Sequence, residues 1–329
     1  MPRNPYYSGP SSDHFDGLRF FLPGGAPTDK SRRDLLRWRL QKRDLPAWPK
    51  TFPAGPQDRP PQRVDGRRLR VSVVGHASFL IQTQSLNLLL DPVWSERASP
   101  SRFIGPRRVN APGIAFENLP PLDAILLTHN HYDHMDISTL ARLARENPCP
   151  VLTPLGNDAI LRKKIRAIDA RAYDWGDAAA LGALRIHFTP AQHWSARGLN
   201  DRRMALWCGF VIESPAGKIY IAGDTGYGDG AIFRAIFRAH GAMRLALLPI
   251  GAYAPRWFMR GQHVDPDEAV RIFQDIGAAR ALACHWGVFR LTDEAVDEPP
   301  RRLAQALARE GIAPERFHAA RPGEFFEIS

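Results

Sequence analysis

From Arg68 onward, apolar positions fall into short runs separated by polar or Gly/Pro-containing connections. Leu69 to Val74, Ser78 to Gln82 and Leu86 to Leu90 follow one another closely, which predicts an antiparallel start to a sheet. Ala124-Ile125-Leu126-Leu127 reads as a further buried strand. Others are expected near Val151 and at Arg185 to Thr189, Leu206 to Glu213, Lys218 to Ala222, Leu245 to Leu248 and Ala281 to Cys284. Helical spacing of apolar residues predicts helices around Ile137 to Glu146, Asp158 to Arg166, Gly230 to Ala239, Pro266 to Ile276 and Pro299 to Arg309. Strands first, then strands alternating with helices, suggest an α/β protein of two mixed β-sheets covered outside by helices.

Residues 1 to 66 break this pattern, being rich in Pro, Gly and Arg with few periodic apolar stretches. They read as an irregular N-terminal extension, and 67 to 329 as one catalytic domain. One exception is Ser31 to Leu40, where Leu36 and Leu40 stand four apart and Leu35 and Trp38 three apart among many arginines. That spacing suits a short basic amphipathic helix ended before Pro46, either packed on the core or lying on a membrane surface.

Composition narrows the setting. A formal charge of +10 implies attraction to anionic partners, whether phospholipid headgroups, nucleic acid or phosphorylated small molecules. The three cysteines, Cys149, Cys208 and Cys284, are too few and scattered for a disulfide framework. No apolar run suits a signal peptide or approaches the roughly 20 residues of a membrane span. A cytoplasmic location is therefore expected, with peripheral contact at an anionic membrane left open.

The densest chemistry lies directly after the strand that ends at Leu127. Thr128-His129-Asn130-His131-Tyr132-Asp133-His134 packs three imidazoles and a carboxylate into six residues, and these are ligand types that suit zinc and related divalent ions. His193, Asp224 and His285 are distant in sequence, yet each follows a predicted strand, and strand ends in a layered sheet fold converge on one edge. Five histidines and two aspartates are enough for two metals. Asp224, between Gly223 and Gly226 of Gly223-Asp224-Thr225-Gly226, is the natural bridging carboxylate.

HxHxDH followed by distant His, Asp and His resembles the signature of the metallo-β-lactamase superfamily. The resemblance implies a four-layer αβ/βα sandwich with a dinuclear site, usually two zinc ions per chain. By that motif His129, His131 and His193 would hold one metal; Asp133, His134 and His285 the other; and Asp224 would bridge them. Gly75-His76-Ala77-Ser78, the stretch Asp91 to Pro100, Ala252 to Pro266, His285-Trp286-Gly287 and Glu298-Pro299-Pro300 look like the N-acylphosphatidylethanolamine-hydrolysing phospholipase D family. This resemblance covers roughly residues 67 to 312. It implies a zinc-dependent phosphodiesterase acting on a phospholipid, with hydroxide attacking phosphorus to release an N-acylethanolamine, and it suggests a homodimer.

Other residues follow from local chemistry. Asp265, Pro266 and Glu268 read as a capped helix start, so Gln262 and His263 sit just ahead of a helix N-terminus, where an anion is favoured. The resemblance implies that Gln262, His263 and Tyr132 contact the phosphate or orient the attacking water. His76 and Asp91 end strands facing the site, and Asp91 is a candidate support for a metal-bound histidine, with an ordinary turn or buried structural role equally open to both. Asp136 is expected to cap the helix from Ile137. His187 is expected to pack or face solvent, His14, His240 and His318 lack partners at motif spacing, and Cys284 is expected in the core. A lactonase or β-lactam hydrolase uses the same nucleophile and stays open. A nuclease of the same superfamily would account for the charge, but no second module clamps a strand, so no nucleic-acid partner is expected. A non-catalytic metal protein is disfavoured, because a structural zinc needs only four ligands.

Overall fold

The computed structural model describes residues 3–25, 28–41 and 45–328. The parts of the extension at 1–2, 26–27 and 42–44, and residue 329, lie outside the described residues, as do the side chains of Arg32 and Arg39 in the basic helix.

The first sheet is built from β1 (Leu69–Gly75), β2 (Ser78–Thr83), β3 (Leu86–Leu90), β4 (Ala124–Leu126), β5 (Val151–Pro154) and β6 (Ala170–Tyr173), with the C-terminal β14 (Phe325–Ile328) on the free edge of β1. The second runs from β7 (Ala178–Leu181) through β8 (Leu184–Thr189), β9 (Gly209–Ser214), β10 (Gly217–Ile221), β11 (Leu245–Pro249) and β12 (Arg280–Cys284) to β13 (Phe317–His318). Both are mixed: β1–β2–β3 and β8–β9–β10 pair antiparallel, while β3–β4–β5 and β10–β11–β12 pair parallel. Val71, Phe79, Ile81, Leu88 and Leu126 of one sheet meet Ile186, Phe210, Ile212, Ile219 and Leu247 of the other in a shared core.

Helices cover the outer faces because each carries one apolar stripe. Leu140 and Leu143 of α2 (Ile137–Glu146) and Ile160 and Leu161 of α3 (Asn157–Lys164) pack on the first sheet. Phe233 and Ile236 of α4 (Ala231–His240), Ile272 and Phe273 of α6 (Pro266–Asp275) and Leu303 and Leu307 of α7 (Glu298–Arg309) cover the second. Between β11 and α6 lies the single turn α5 (Arg256–Met259). The result is a four-layer αβ/βα sandwich.

Four strands went unpredicted. Ala170–Tyr173 and Ala178–Leu181 are short and poor in β-branched residues, and Phe317–His318 and Phe325–Ile328 are edge strands whose pairing is remote in sequence. Leu206 to Cys208 does not extend β9: the amide of Cys208 instead donates to the carbonyl of Thr128, tying this segment to the histidine-rich loop.

The N-terminal segment docks on the sandwich. Phe15 and Phe20 are buried against Trp207, His14 Nε2 lies 2.7 Å from Asp174 Oδ1, and Asp58 pairs with buried Arg70 of β1 at 2.7 Å. Helix α1 (Arg32–Leu40) opens on a capping box between Ser31 and Asp34 and stacks Trp38 on Phe258 of α5, ring centroids 4.9 Å apart. Among the described residues no helix is long and apolar enough to cross a membrane.

Candidate metal centre

All the strands that feed the site end at one edge of the sandwich. His76 follows β1, Asp91 follows β3, His129 to His134 follow β4, His193 follows β8, Asp224 follows β10 and His285 follows β12. Parallel alignment of β1, β3 and β4 in one sheet, and of β8, β10, β11 and β12 in the other, sends these loops the same way. His76, Asp91 and His285 each adopt a positive φ (56°, 38° and 61°), a conformation costly for non-glycine residues that re-aims the side chain as the strand ends. Gly223 (φ 60°) is needed for space as well, since a Cβ there would lie 3.0 Å from the carbonyl oxygen of Cys208.

Asp224 Oδ2 is the centre of the cluster. Around it stand His285 Nε2 at 3.2 Å, His134 Nε2 at 3.3 Å, His193 Nε2 at 3.7 Å, and both His129 Nε2 and His263 Nδ1 at 3.9 Å. One donor group gathers His129, His131, His193 and Asp224; another gathers His76, Asp133, His134 and His285; Asp224 also groups with His263 and His285. His131 Nδ1 lies 2.9 Å from His129 Nε2 and 3.2 Å from His193 Nε2. Three ring nitrogens that close cannot all be satisfied by one proton. Buried Nε2 of His134, Nε2 of His285 and Oδ1 of Asp224 have no hydrogen-bond partner, and such orphaned groups are costly unless a cation takes their lone pairs. The donor set, imidazole with carboxylate and no thiolate, fits divalent metal.

Burial and mutual charge set the protonation states. Burial pushes His131 and His193 down to about 3, and drives His129 well below its usual value with help from neighbouring His134 and His131. For Asp133 and Asp224 burial opposes ionisation, but adjacent imidazoles outweigh it and hold both well below the usual carboxylate range. At His134 and His285 burial opposes protonation, but Asp224 and Asp133 outweigh it and hold both above the usual imidazole value, so a metal would displace their protons.

A supporting shell fixes the ligands. Asp91 Oδ2 meets His134 Nδ1 at 2.7 Å and accepts from Thr128 Oγ1 at 2.6 Å, while its Oδ1 accepts from the Thr128 amide. His193 Nδ1 donates to the Gln262 carbonyl at 2.9 Å. His76 Nε2 lies 3.0 Å from Asp133 Oδ2, which brings a weakly signalled residue into contact with the cluster. The loop between β11 and α6 is clamped by Glu294, which accepts from the amides of Ala252 and Ala254, and by Arg256, which bonds both Glu268 and the His263 carbonyl. That loop carries Gln262 and His263 to the cluster, with Gln262 Oε1 and His263 Nδ1 buried and unpartnered. The Tyr132 hydroxyl donates to the Arg197 carbonyl at 2.6 Å, so its ring, rather than its proton, faces the cavity. Asp136 caps α2 and lies outside the cluster. Cys284 is buried between the sheets.

Above the donors lies a cavity of about 530 Å³. His131, Asp133 and Asp224 line its floor, and Leu35, Trp38, Phe258, Met259 and Leu291 contribute apolar surface. Arg197, which carried no sequence signal, also lines it. Its guanidinium lies 4.1 Å over the Tyr132 ring and donates to the carbonyls of Asn130 and Met135.

A β-lactamase superfamily domain matches residues 86–286, the span that carries five of these six strand ends and all seven predicted ligands. The chain belongs to the metallo-β-lactamase superfamily. An N-acyl-phosphatidylethanolamine-hydrolyzing phospholipase D 1 of Caenorhabditis elegans is 34% identical over 267 residues, spanning 78% of this chain and 75% of that protein. An uncharacterized protein of Mycobacterium tuberculosis is 38% identical over 257 residues, 76% of this chain and 67% of its own. The solved structure of Igni18, a metallo hydrolase from Ignicoccus hospitalis, superposes with a TM-score of 0.60 at 19% identity, covering 80% of this chain and 99% of that one, which is a likeness of fold. Superfamily, relatives and buried His/Asp clusters together make this a metal-dependent hydrolase.

Proposed function

We propose that this chain is a dinuclear zinc phosphodiesterase of phospholipase D type, acting on N-acylphosphatidylethanolamine-like lipids. The observation that carries the reading is a cavity whose floor bears the metal donors and whose walls include an apolar stretch of Leu35, Trp38, Phe258, Met259 and Leu291: a charged reacting group and an apolar tail have adjoining places. Asp224, shared between donor groups, supports two ions rather than one. The name of the C. elegans relative supports the same substrate class.

Two divalent ions in those donor sets would supply an activated nucleophile at neutral pH and neutralise charge developing on the phosphoryl oxygens. The chain's own residues supply the rest. His129, His131 and His193, with Asp133, His134, His285 and Asp224, would hold the ions. His263, with Nδ1 free and facing Asp224, is placed to accept a proton from the attacking water. Gln262, with a free buried Oε1, orients that water. Trp38, Phe258 and Met259 exclude solvent and seat an acyl chain.

The cavity mouth fits a peripheral membrane position. Leu36 and Leu40 of α1 are 56% and 69% exposed, Trp257 is 38% exposed, and Arg37 lies over the Trp257 ring. An apolar rim with interspersed arginine suits an anionic lipid surface. Zinc-loaded protein presented with N-acylphosphatidylethanolamine in mixed micelles should yield phosphatidic acid and N-acylethanolamine by mass spectrometry, and D224A should abolish the reaction while remaining folded. Release of diacylglycerol instead, or no hydrolysis with two equivalents of metal bound, would sink the reading.

A further inference from the structure

A second cavity, of about 720 Å³, lies beside the metal cavity, and the two share Tyr132, Arg197 and Gly198 as a common wall. Its lining is richer in charge. Arg97, Arg102, Lys163, Lys164 and Arg197 all border it, and among the described residues none of these cations is paired with a carboxylate. Arg97 Nη1 donates only to the Gly105 carbonyl and its Nε is buried without a partner; Arg197 is spent on two backbone carbonyls.

Three acidic residues also border the cavity, and each already accepts hydrogen bonds or an ion pair. Asp136 accepts from the amides of Ser95 and Ser138 and from Thr139 Oγ1. Asp201 accepts from the amides of Arg197 and Gly198 and from the Tyr6 hydroxyl. Glu96 is paired with Arg107, on a neighbouring strand of the same loop. Five cations therefore face three carboxylates, which leaves the lining net positive, with Arg102, Lys163 and Lys164 exposed at its surface. An overall basic surface does not require such clustering. The metal cavity adds an apolar stretch, Leu35, Trp38, Phe258, Met259 and Leu291, which this one does not have.

We infer that the substrate carries a second anionic group, a carboxylate or phosphate on the half of the molecule that leaves, and that this group is bound by Arg102, Lys163 and Lys164 in the cavity beyond the Tyr132–Arg197 wall. The inference rests on the phosphodiesterase reading. The diacylglycerol half occupies the Trp38–Phe258 side, the scissile phosphate sits over Asp224, and the N-acylethanolamine half extends past the Tyr132 and Arg197 side chains. The bond chemistry is that of simple hydrolysis: water oxygen joins phosphorus, the P–O bond to the alcohol breaks, and the alcohol leaves with a proton.

The test uses zinc-loaded full-length protein and two phospholipids that differ only at the leaving group, phosphatidyl-N-acetylethanolamine and phosphatidyl-N-succinylethanolamine, in neutral detergent micelles. Wild type should favour the succinyl substrate by about tenfold or more in kcat/KM, the scale of one charge-assisted contact. The K163A/K164A variant, and separately R102A, should lose that preference while hydrolysing the acetyl substrate within about twofold of wild type. Equal hydrolysis of both lipids by wild type, or an equal loss on both in the variants, overturns the inference and leaves the phosphodiesterase reading intact. Hydrolysis of neither lipid overturns that reading instead.

Discussion

Asp91 and His134 meet through Oδ2 and Nδ1 at 2.7 Å, both wholly buried, although 43 residues separate them in sequence. Each ends or follows a strand of the same sheet, β3 for Asp91 and β4 for His134, and these strands pair in parallel. The contact fixes the tautomer of His134, leaving Nε2 turned toward Asp133 and Asp224. A carboxylate behind a metal-facing imidazole raises its basicity and holds its ring plane.

Removing that support should weaken metal binding without unfolding the protein. D91N retains the shape and a hydrogen bond to Thr128 but offers no charge to His134. We expect a loss of roughly 10- to 100-fold in metal affinity, measured by competition with a chromophoric chelator. Unchanged affinity would mean that Asp91 serves only the turn.

Metal removal should cost stability as well as activity. The metal-free centre crowds five imidazoles around one carboxylate and leaves several buried nitrogens unsatisfied. At free metal a thousandfold above Kd, occupancy adds about 4 kcal/mol per site. Calorimetry before and after chelation should show the midpoint falling by several degrees and recovering on readdition of zinc. A midpoint indifferent to metal would be incompatible with the site.

His263 separates binding from chemistry. Its Nδ1 lies 3.9 Å from Asp224 Oδ2, farther than His285 or His134, and its ring packs against His193 and His285. H263Q should retain two equivalents of metal and lose about 10²- to 10⁴-fold in kcat, the range of a lost proton-transfer group. Loss of one metal equivalent would reassign His263 as a ligand.

Far from the site, Glu213 of β9 faces His187 of β8 and His240 at the end of α4, with Lys218 beside it. Burial opposes its ionisation, but bonds to His187 and Lys218 outweigh this and bring the carboxyl from 4.5 down to about 2. A depressed folded value gives stability that is present above pH 4.5 and lost as pH falls from there toward 2. Because the group is about a third exposed, solvent screening limits the effect to about 1 kcal/mol or less. Urea unfolding should show E213Q less stable than wild type at pH 7, with the difference gone near pH 2. A difference that persists at pH 2 would trace to packing rather than charge.

The same cluster illustrates what a linear reading misses. His187 and His240 have no motif spacing, yet a strand and a helix end place their rings 4.7 Å apart with Glu213 between them and Lys218. His14 finds Asp174 in the same way, and His318 finds Glu324.

Features written over short distances were legible from the sequence alone. The core strands and the α2, α6 and α7 helices follow from apolar periodicity, and the capping box at Asp265 and Glu268 from local hydrogen bonding. The HxHxDH loop announces metal chemistry because four ligands within six residues after a strand have few other uses. What only tertiary structure decided is remote pairing: β14 on β1, Asp91 behind His134, His76 beside Asp133, α1 over the cavity mouth and Arg197 between two cavities. No residue spacing encodes these contacts. They arise because the parallel strands of two packed sheets end at one edge, and the entropy of bringing distant loops there is offset by the shared apolar core beneath them.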